Sequence, residues 1–531
     1  MIALAIRFAN RHISNKQERT LPLLRTLGRN IISNWTGFFV HALVTFFLTP
    51  YVLHQLGDTR FGVWSLVISI TGYYGILDLG LRSGLTQYIT RYLAKEDYNQ
   101  MNRAASSGFF VLVGCGTMII IASAIIAFFS STLFNLEADI ANEVSWCIVI
   151  IAGGTAVQFC FFPFAAVFTA TQRYDLANAI GITTRLLTAL VIYLCLQSGY
   201  GLIALSLATT GCNVFDYLLR WQVAKRILPQ LYISRHLVNS KSCREFFSYG
   251  FWTFLGQSSN QIADSSVAII IGVLMPAAAI GRYALAATIV VFYRNFLGPT
   301  ARVFFPITTS MDAKGDQATL KQVYLTGTRL LLLLSIIIGF EGFFFADEFY
   351  ALWIGSENME DAHGSIPTLF RILLVAAGIS ASQYIGTQVL LGRRQVRLLA
   401  YCSIFYMVNH LAFSATAAYF FGLIGIAMAI ACNAVIFQAF IMPYLICKSL
   451  SISLGHYVRS VCSRPMALAF LLIQFHWLNG LFFSTPAGWL QLISYGLITF
   501  IPVCVLGFLI VLTKEERAFV MNKSSRLLWT R

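Results

Sequence analysis

Long apolar runs alternate with short polar segments along nearly the whole chain. A helix needs about 20 mostly apolar residues to cross a bilayer, so these runs predict about fourteen membrane spans. The runs lie near 30–52, 59–82, 104–130, 144–169, 178–197, 200–221, 246–275, 279–305, 324–345, 366–391, 398–419, 423–447, 463–482 and 488–512. They are far longer than the alternating strands, about ten residues each, of a membrane β-barrel. The pattern therefore predicts an all-α integral membrane protein.

Lys and Arg occur almost exclusively in every second loop between the predicted spans. The loops in between hold only Arg60 and Arg282, and four further arginines (Arg185, Arg294, Arg329 and Arg371) lie inside predicted spans. The other cations cluster at 7–29, 82–103, 173, 220–244, 302–321, 393–397, 448–464 and 514–531. Because cations are retained on the cytoplasmic side during insertion, both termini are predicted to be cytoplasmic and the number of spans even.

Composition agrees with a membrane protein and excludes several other classes. The chain is 57% hydrophobic and 11% charged, with a mean hydropathy of +0.71, which is not typical of a soluble globule. The net charge of +15 follows from the topology pattern and from attraction to anionic inner-leaflet lipids. No basic stripe is interleaved with aromatics on a soluble module, so no nucleic-acid partner is predicted. Eleven scattered cysteines without a CxxC motif favour neither a disulfide framework nor a metal site.

Two pairs of segments in the halves of the chain resemble each other. Residues 56–66 (LGDTRFGVWSL) align with 275–285 (MPAAAIGRYAL), which pairs Gly62 with Gly281, and 201–204 (GLIA) align with 422–425 (GLIG). Six predicted spans separate the copies, an even number, so both copies enter the membrane in the same orientation. Parallel repeats of this kind occur in several secondary transporters.

The repeat predicts two pseudo-symmetric six-helix lobes followed by an appended helix pair. A basic N-terminal arm is expected at the inner membrane face, and a cytoplasmic linker is expected to act as the hinge between the lobes. The predicted boundaries are 1–29 for the arm, 30–221 for the first lobe, 222–245 for the linker, 246–447 for the second lobe, 448–512 for spans thirteen and fourteen, and 513–531 for the basic tail.

Polar residues inside span seven fall on one helical face. Thr253, Gln257, Asn260 and Asp264 are spaced by four, three and four residues, and Gln261 flanks them. The matching span one carries Asn34, His41 and Thr45 at equivalent phases. We interpret the two stripes as facing walls of a hydrated central chamber, with an interhelical hydrogen-bond seam as the alternative. Asp264 favours the chamber, because a seam does not require a carboxylate.

Charged residues within spans are costly and mark candidate functional positions. Arg294, near the middle of span eight, is predicted to contact a ligand phosphate or to pair with Asp264 or Glu341, and Arg185 is a weaker candidate. Glu341, in span nine, could pair with Arg371 or carry a proton.

Two Asp–Arg pairs share a four-residue spacing at the ends of spans two and six. Asp78 precedes Arg82 and Asp216 precedes Arg220, an order that suits an intrahelical ion pair. They are interpreted as self-satisfied helix ends, with a gate that opens during transport as the alternative. No arrangement of nucleophile, base and metal ligands indicates an enzyme.

Several motifs resemble a known family. Residues 49–66 (TPYVLHQLGDTRFGVWSL) and 77–81 (LDLGL) resemble the opening spans of bacterial polysaccharide transporters, and 345–355 (FADEFYALWIG) resemble an outward loop after span nine. These transporters are the O-antigen-type, Wzx-like oligosaccharide-lipid flippases of the multidrug/oligosaccharidyl-lipid/polysaccharide exporter superfamily.

The resemblance implies two six-helix lobes around a central cavity in the bacterial inner membrane. It implies transfer of an undecaprenyl-diphosphate-linked oligosaccharide from the cytoplasmic to the periplasmic leaflet by alternating access. No cofactor is expected, although H⁺ or Na⁺ entry could drive the cycle. Arg294 and Arg185 would hold the diphosphate, and spans thirteen and fourteen would shape a groove for the polyprenyl tail. Partners would be membrane lipids, a polysaccharide polymerase and other assembly proteins.

Two other functions are weighed against the flippase. A cation-coupled multidrug exporter of the same superfamily would use carboxylates such as Asp264, but Arg294 and the basic linker favour an anionic substrate. A polysaccharide polymerase or ligase would need a large outward loop with catalytic Arg or His, whereas the outward loops here are short.

Overall fold

A computed structural model describes residues 20–78, 80–134, 136–359, 364–479 and 486–518 of the protein. The described residues are almost entirely helical and contain no strand, which confirms the predicted fold class. The α-helices are α1 (Thr20–Gly72), α2 (Leu81–Leu93), α3 (Tyr98–Phe128), α4 (Ser130–Phe134), α5 (Ala138–Ala170), α6 (Tyr174–Gln197), α7 (Leu202–Ile227), α8 (Ser240–Leu274), α9 (Ala277–Arg302), α10 (Phe304–Ala313), α11 (Gln317–Phe344), α12 (Ala346–Ile354), α13 (Ile366–Ala381), α14 (Tyr384–Gly392), α15 (Val396–Ala434), α16 (Met442–Leu450), α17 (Leu454–Tyr457), α18 (Ser463–Asn479) and α19 (Trp489–Ile510). Three 3₁₀ segments (Tyr73–Asp78, Arg235–Leu237 and Ser356–Asn358) and two π segments (Val435–Ile441 and Val458–Cys462) complete the helical elements.

Eleven helical stretches in the described part of the chain are long and apolar enough to cross a membrane. Two of these, Ile32–Asp78 with 47 residues and Val396–Leu450 with 55, are long enough for two crossings each at about 20 residues per span. The polar helix α8 is 35 residues long and is not among the eleven. Dividing the two long stretches and adding α8 gives the fourteen spans that the hydropathy pattern predicts.

Glycines break both long stretches where the repeat analysis places a connection between spans. Gly57 has φ 73° and ψ 168°, and Gly422 has φ 63° and ψ −147°. Only glycine adopts such conformations at little cost, because it has no Cβ. The breaks therefore separate span one from span two and span eleven from span twelve.

The chain forms two compact units. The N-terminal unit contains the described residues up to Ala284 together with Ala400–Val408, and in it α5 packs against both α3 and α7. The C-terminal unit contains Leu285–Leu399 and the described residues from Asn409 onward. α8, which the repeat assigns to the second lobe, thus lies in the N-terminal unit, and the lobe boundaries stay a prediction.

In the C-terminal unit, α18 and α19 pack against α11. Their shared apolar core consists of Leu333, Phe340, Leu468, Leu472, Val503, Val511 and Leu512. Leu468 and Val503 are fully buried. The last two spans are therefore fixed to span nine by side-chain packing.

The predicted inter-lobe linker begins later than expected, because α7 continues to Ile227. Residues 228–239 then run along the first turns of α3, held by side chains that bind their backbone. Asn102 donates to the Gln230 carbonyl at 2.9 Å and accepts from the Tyr232 amide at 3.1 Å. Ser106 and Ser107 accept from the amides of Ser234 and Asn239, each at 3.0 Å.

We expect Asn102→Ala to release this linker from α3. The substitution removes both hydrogen bonds of a side chain that is 2% exposed and leaves backbone groups unpaired, at about 1–3 kcal/mol for each group that stays buried. Hydrogen–deuterium exchange should show faster exchange at the Tyr232 amide. Gln100→Ala, in the same turn of α3, is the control and should leave that exchange rate unchanged.

Candidate functional site

The polar stripe of α8 lies on the outside of the N-terminal unit. All five of its members are exposed: Thr253, Gln257, Asn260, Gln261 and Asp264. The opposite face is buried, with Ala263 and Val267 only 2% and 1% exposed. Within α8, the side chain of Gln261 donates a hydrogen bond to Ser265 Oγ at 2.9 Å. A hydrogen-bond seam would bury such a stripe between helices, so this exposure favours contact with water.

The equivalent residues of span one have a different environment. Asn34 accepts a hydrogen bond from Asn178 Nδ2 at 2.7 Å, and the same nitrogen donates to Ser33 Oγ at 3.0 Å. His41 Nδ1 lies 3.4 Å from Thr45 Oγ1, one turn along α1. Asn178 of α6 therefore ties α6 to α1, a connection that the sequence does not indicate.

Asp216 is the centre of a buried polar cluster between α6 and α7. Its carboxylate accepts from Thr184 Oγ1 at 2.9 Å and forms an ion pair with Arg220 one turn along α7. Arg220 Nη2 also donates to the Ala177 carbonyl at 3.2 Å. Arg185 is exposed and lies close enough to Asp216 for an electrostatic interaction. The predicted ion pair within one helix is thus present and has two additional neighbours.

The second pair, Asp78 with Arg82, forms across a helix junction and not within one helix. Asp78 ends a 3₁₀ segment, Arg82 lies in α2, and Arg82 Nε is 3.2 Å from Asp78 Oδ2. The Gly80 amide between them donates to Asp78 Oδ1 at 2.8 Å. Arg82 also stacks over Phe159, with its guanidinium carbon 4.0 Å from the ring centroid, a cation–π contact.

Tyr217 connects the two ion pairs. It lies close enough to Arg82, Asp216 and Arg220 for electrostatic interactions with all three. We call Asp78, Arg82, Arg185, Asp216 and Arg220 the arginine cluster. With three guanidinium groups and two carboxylates, it carries an excess of one positive charge. Its chemistry therefore suits an anionic ligand, and guanidinium groups bind phosphate through two parallel hydrogen bonds.

The predicted residues of the C-terminal unit do not gather at one place. Arg294 lies in the middle of α9 and is half-buried. Glu341 of α11 contacts Thr499 of α19, whose Oγ1 is 3.0 Å from each carboxyl oxygen. Arg371, offered by the sequence as a partner of Glu341, instead binds Asp347 at 2.5 Å and donates to the Phe343 carbonyl at 2.9 Å.

Comparison with known proteins decides the family. The family model described as "Polysaccharide biosynthesis protein" matches residues 27–312, more than half of the chain. The chain belongs to this family. The resemblance that the opening motifs indicate is therefore confirmed.

Other similar proteins agree with this assignment. The chain is 22% identical over 505 residues to the uncharacterized membrane protein EpsK of Bacillus subtilis (strain 168), covering 93% of this chain and 97% of EpsK. The lipid II flippase MurJ in an inward closed conformation matches with a TM-score of 0.67 and 10% identity over 90% of this chain and 98% of MurJ. An inward-facing MATE multidrug transporter of the MOP superfamily matches with a TM-score of 0.63 and 15% identity over 77% and 95%.

These solved structures show the fold, since their identities to this chain are low. This member of the polysaccharide biosynthesis family is therefore a multi-pass membrane protein with the fold of MOP-superfamily transporters and flippases.

Proposed function

We propose that the protein is a flippase for an undecaprenyl-diphosphate-linked oligosaccharide in the bacterial inner membrane. It transfers this repeat unit of a surface polysaccharide from the cytoplasmic to the periplasmic leaflet by alternating access. Both termini lie in the cytoplasm, as the distribution of Lys and Arg predicts. No cofactor takes part, and H⁺ or Na⁺ entry drives the cycle.

The exposed polar stripe of α8 is the observation that carries this proposal. Amide, hydroxyl and carboxyl groups exposed on a helix at membrane depth are costly unless they face water. A hydrated face of amides and hydroxyls is suited to the hydroxyl-rich surface of a sugar chain, because Asn and Gln both donate and accept hydrogen bonds. A hydrophobic drug would gain little from such a face.

The arginine cluster supports an anionic headgroup. Among its guanidinium groups, those of Arg82 and Arg220 are held by aspartates, whereas Arg185 is exposed. Arg185 therefore takes the first contact with the diphosphate in our proposal. The sequence alone makes Arg185 a weaker candidate for phosphate binding than Arg294, whereas our proposal gives it the first contact.

We expect Arg185→Ala to slow flipping about 10- to 100-fold at low substrate concentration. The reason is that the substitution removes one charge-assisted hydrogen bond to the substrate, which contributes about 1.5–3 kcal/mol. Proteoliposomes with a fluorescent undecaprenyl-diphosphate oligosaccharide and a membrane-impermeant quencher measure the rate. Arg226→Ala, an exposed cation in the last turn of α7, is the matched control. Equal flipping rates for the two variants would show that Arg185 does not bind the substrate.

A cation-coupled multidrug exporter is the second candidate, supported by the exposed carboxyl of Asp264. The same proteoliposomes separate the two functions. An exporter would move a cationic dye along an imposed H⁺ or Na⁺ gradient, would lose this activity in Asp264→Asn, and would leave the labelled lipid in its original leaflet.

A further inference from the structure

Glu341 places a carboxyl group inside a membrane-spanning helix, where it meets the appended helix pair. It lies in the last turn of α11, and Thr499 Oγ1 of α19 is 3.0 Å from both of its carboxyl oxygens. Gly496 of α19 also lies beside this carboxyl group, since a Cβ added to it would be 3.7 Å from Glu341 Oε2. This carboxyl is thus in direct contact with span fourteen.

The number of hydrogens at this contact points to the protonation state of Glu341. A threonine hydroxyl has one hydrogen. Thr499 Oγ1 also lies 2.9 Å from the Tyr495 carbonyl and 3.1 Å from the Gly496 carbonyl. If Glu341 were ionised, four acceptor oxygens would compete for that single hydrogen. If Glu341 is neutral, its O–H donates to Thr499 Oγ1 and Thr499 donates to a carbonyl of its own helix, so both groups are satisfied.

Among the described residues, the arginine that shares α11 with Glu341 and the arginine of α13 are each bound to another carboxylate. Arg371 of α13 is bound to Asp347, and Arg329, about three turns before Glu341 along α11, pairs with Glu516. Two further titratable groups lie nearby in the described part of the chain: Cys504 of α19, and His476 of α18, whose ring stacks on Phe344 at 4.0 Å. His476 in turn lies close enough to Arg371 for an electrostatic interaction.

We propose that Glu341 and Thr499 form a proton-binding site that fastens the appended helix pair α18–α19 to α11. The bound proton lies on Glu341 and is donated to Thr499 Oγ1. When it leaves to water, the carboxylate needs hydration that the packed interface does not provide, and the contact between α11 and α19 loosens. This inference does not depend on which substrate the protein transports.

Infrared spectroscopy of the purified protein in lipid nanodiscs, without substrate, tests the proton directly. We expect a carbonyl stretch of a protonated carboxyl group at neutral pH, sensitive to H₂O/D₂O exchange and absent from Glu341→Gln. Thr499→Val should shift this band to higher frequency by removing its hydrogen-bond partner, whereas Thr499→Ser should not. Glu357→Gln, an exposed carboxylate outside the spans, is the control and should leave the band unchanged.

Thermal unfolding tests the link to the helix pair. A group that is neutral in the folded state contributes stability that is lost as the pH rises, so the wild-type midpoint should fall from mildly acidic to mildly alkaline pH. Glu341→Gln keeps a neutral hydrogen-bond donor at this position, so its unfolding midpoint should decrease much less over the same pH range. A protein without the infrared band at neutral pH, or a fall of equal size in both proteins, overturns the proposal. Flipping plays no part in either readout, so a failed flippase assay would leave this result intact.

Discussion

Replacing Glu516 by Ala should destabilise the C-terminal unit by about 3–5 kcal/mol, because it leaves a buried arginine without its anion. Arg329 of α11 and Glu516 have side chains that are only 9% and 12% exposed, and Arg329 Nη2 is 2.5 Å from Glu516 Oε1. Arg329 Nη1 also donates to the Ser460 carbonyl at 3.2 Å. The other oxygen of Glu516 accepts from the Thr513 amide at 2.8 Å, and the Glu516 amide donates to Thr513 Oγ1 at 3.3 Å, which is a capping box.

The exposed pair Arg60–Glu143 is the matched control for this prediction. Its nitrogen and oxygen are 2.9 Å apart, but Arg60 is 48% exposed, so Arg60→Ala should cost only about 0.2–1 kcal/mol. The double variant Arg329→Met/Glu516→Leu should recover much of the lost stability, since it removes both buried charges together. Thermal unfolding in detergent micelles compares all four proteins. Equal midpoints for Glu516→Ala and Arg60→Ala would show that the buried pair contributes no more than an exposed one.

The sequence predicts the fold well because a bilayer imposes one simple rule on every span. Apolar length and the placement of Lys and Arg are properties of the chain alone, so they report spans without any knowledge of packing. The stripe of α8 is predictable for the same reason: a helical repeat places Gln257, Asn260 and Asp264 on one face whatever lies beside it.

The contacts between distant helices are not predictable in this way. Thr499 and Glu516 lie far along the chain from Glu341 and Arg329, and neither carries a local signal that names its partner. The sequence gives one indirect signal for the pair of Arg329 and Glu516. An arginine inside a span requires an anion, and residues 513–516 (TKEE) have the spacing of a capping box that ends in Glu516. Spacing can also mislead, as at Asp78 and Arg82, where the ion pair forms although the helix is interrupted between them.

Two glycines at equivalent positions of the sequence repeat are also in close contact in the structure. Gly62 and Gly281 correspond in the two halves of the sequence, and in the structure they lie against each other. A Cβ on Gly281 would be 3.2 Å from the Gly62 amide nitrogen and 3.3 Å from the Asp58 carbonyl oxygen. The glycines therefore allow the backbones of α1 and α9 to approach closely.

Gly62→Ala should be strongly destabilising, by about 1–3 kcal/mol or more, because its methyl group has no free space. The added Cβ would lie 1.8 Å from the Ala277 carbonyl oxygen and 2.7 Å from the Ala277 carbonyl carbon. Both are backbone atoms, so no side-chain rotation relieves the clash and α1 must move away from α9. The gain of about 1 kcal/mol in helix propensity from Gly to Ala does not offset this cost.

The size of the clash predicts an order among three glycine variants. Gly281→Ala should cost less than Gly62→Ala, since the nearest atom to its Cβ, Phe61 Cδ1, is 3.1 Å away, a tight contact and not an overlap. Gly153→Ala in α5 is the control, because nothing lies within 4 Å of its Cβ, and it should be neutral or slightly stabilising. Thermal unfolding midpoints should therefore rise from Gly62→Ala through Gly281→Ala to Gly153→Ala. If Gly62→Ala unfolds at the temperature of Gly153→Ala, then α1 and α9 do not depend on this close approach.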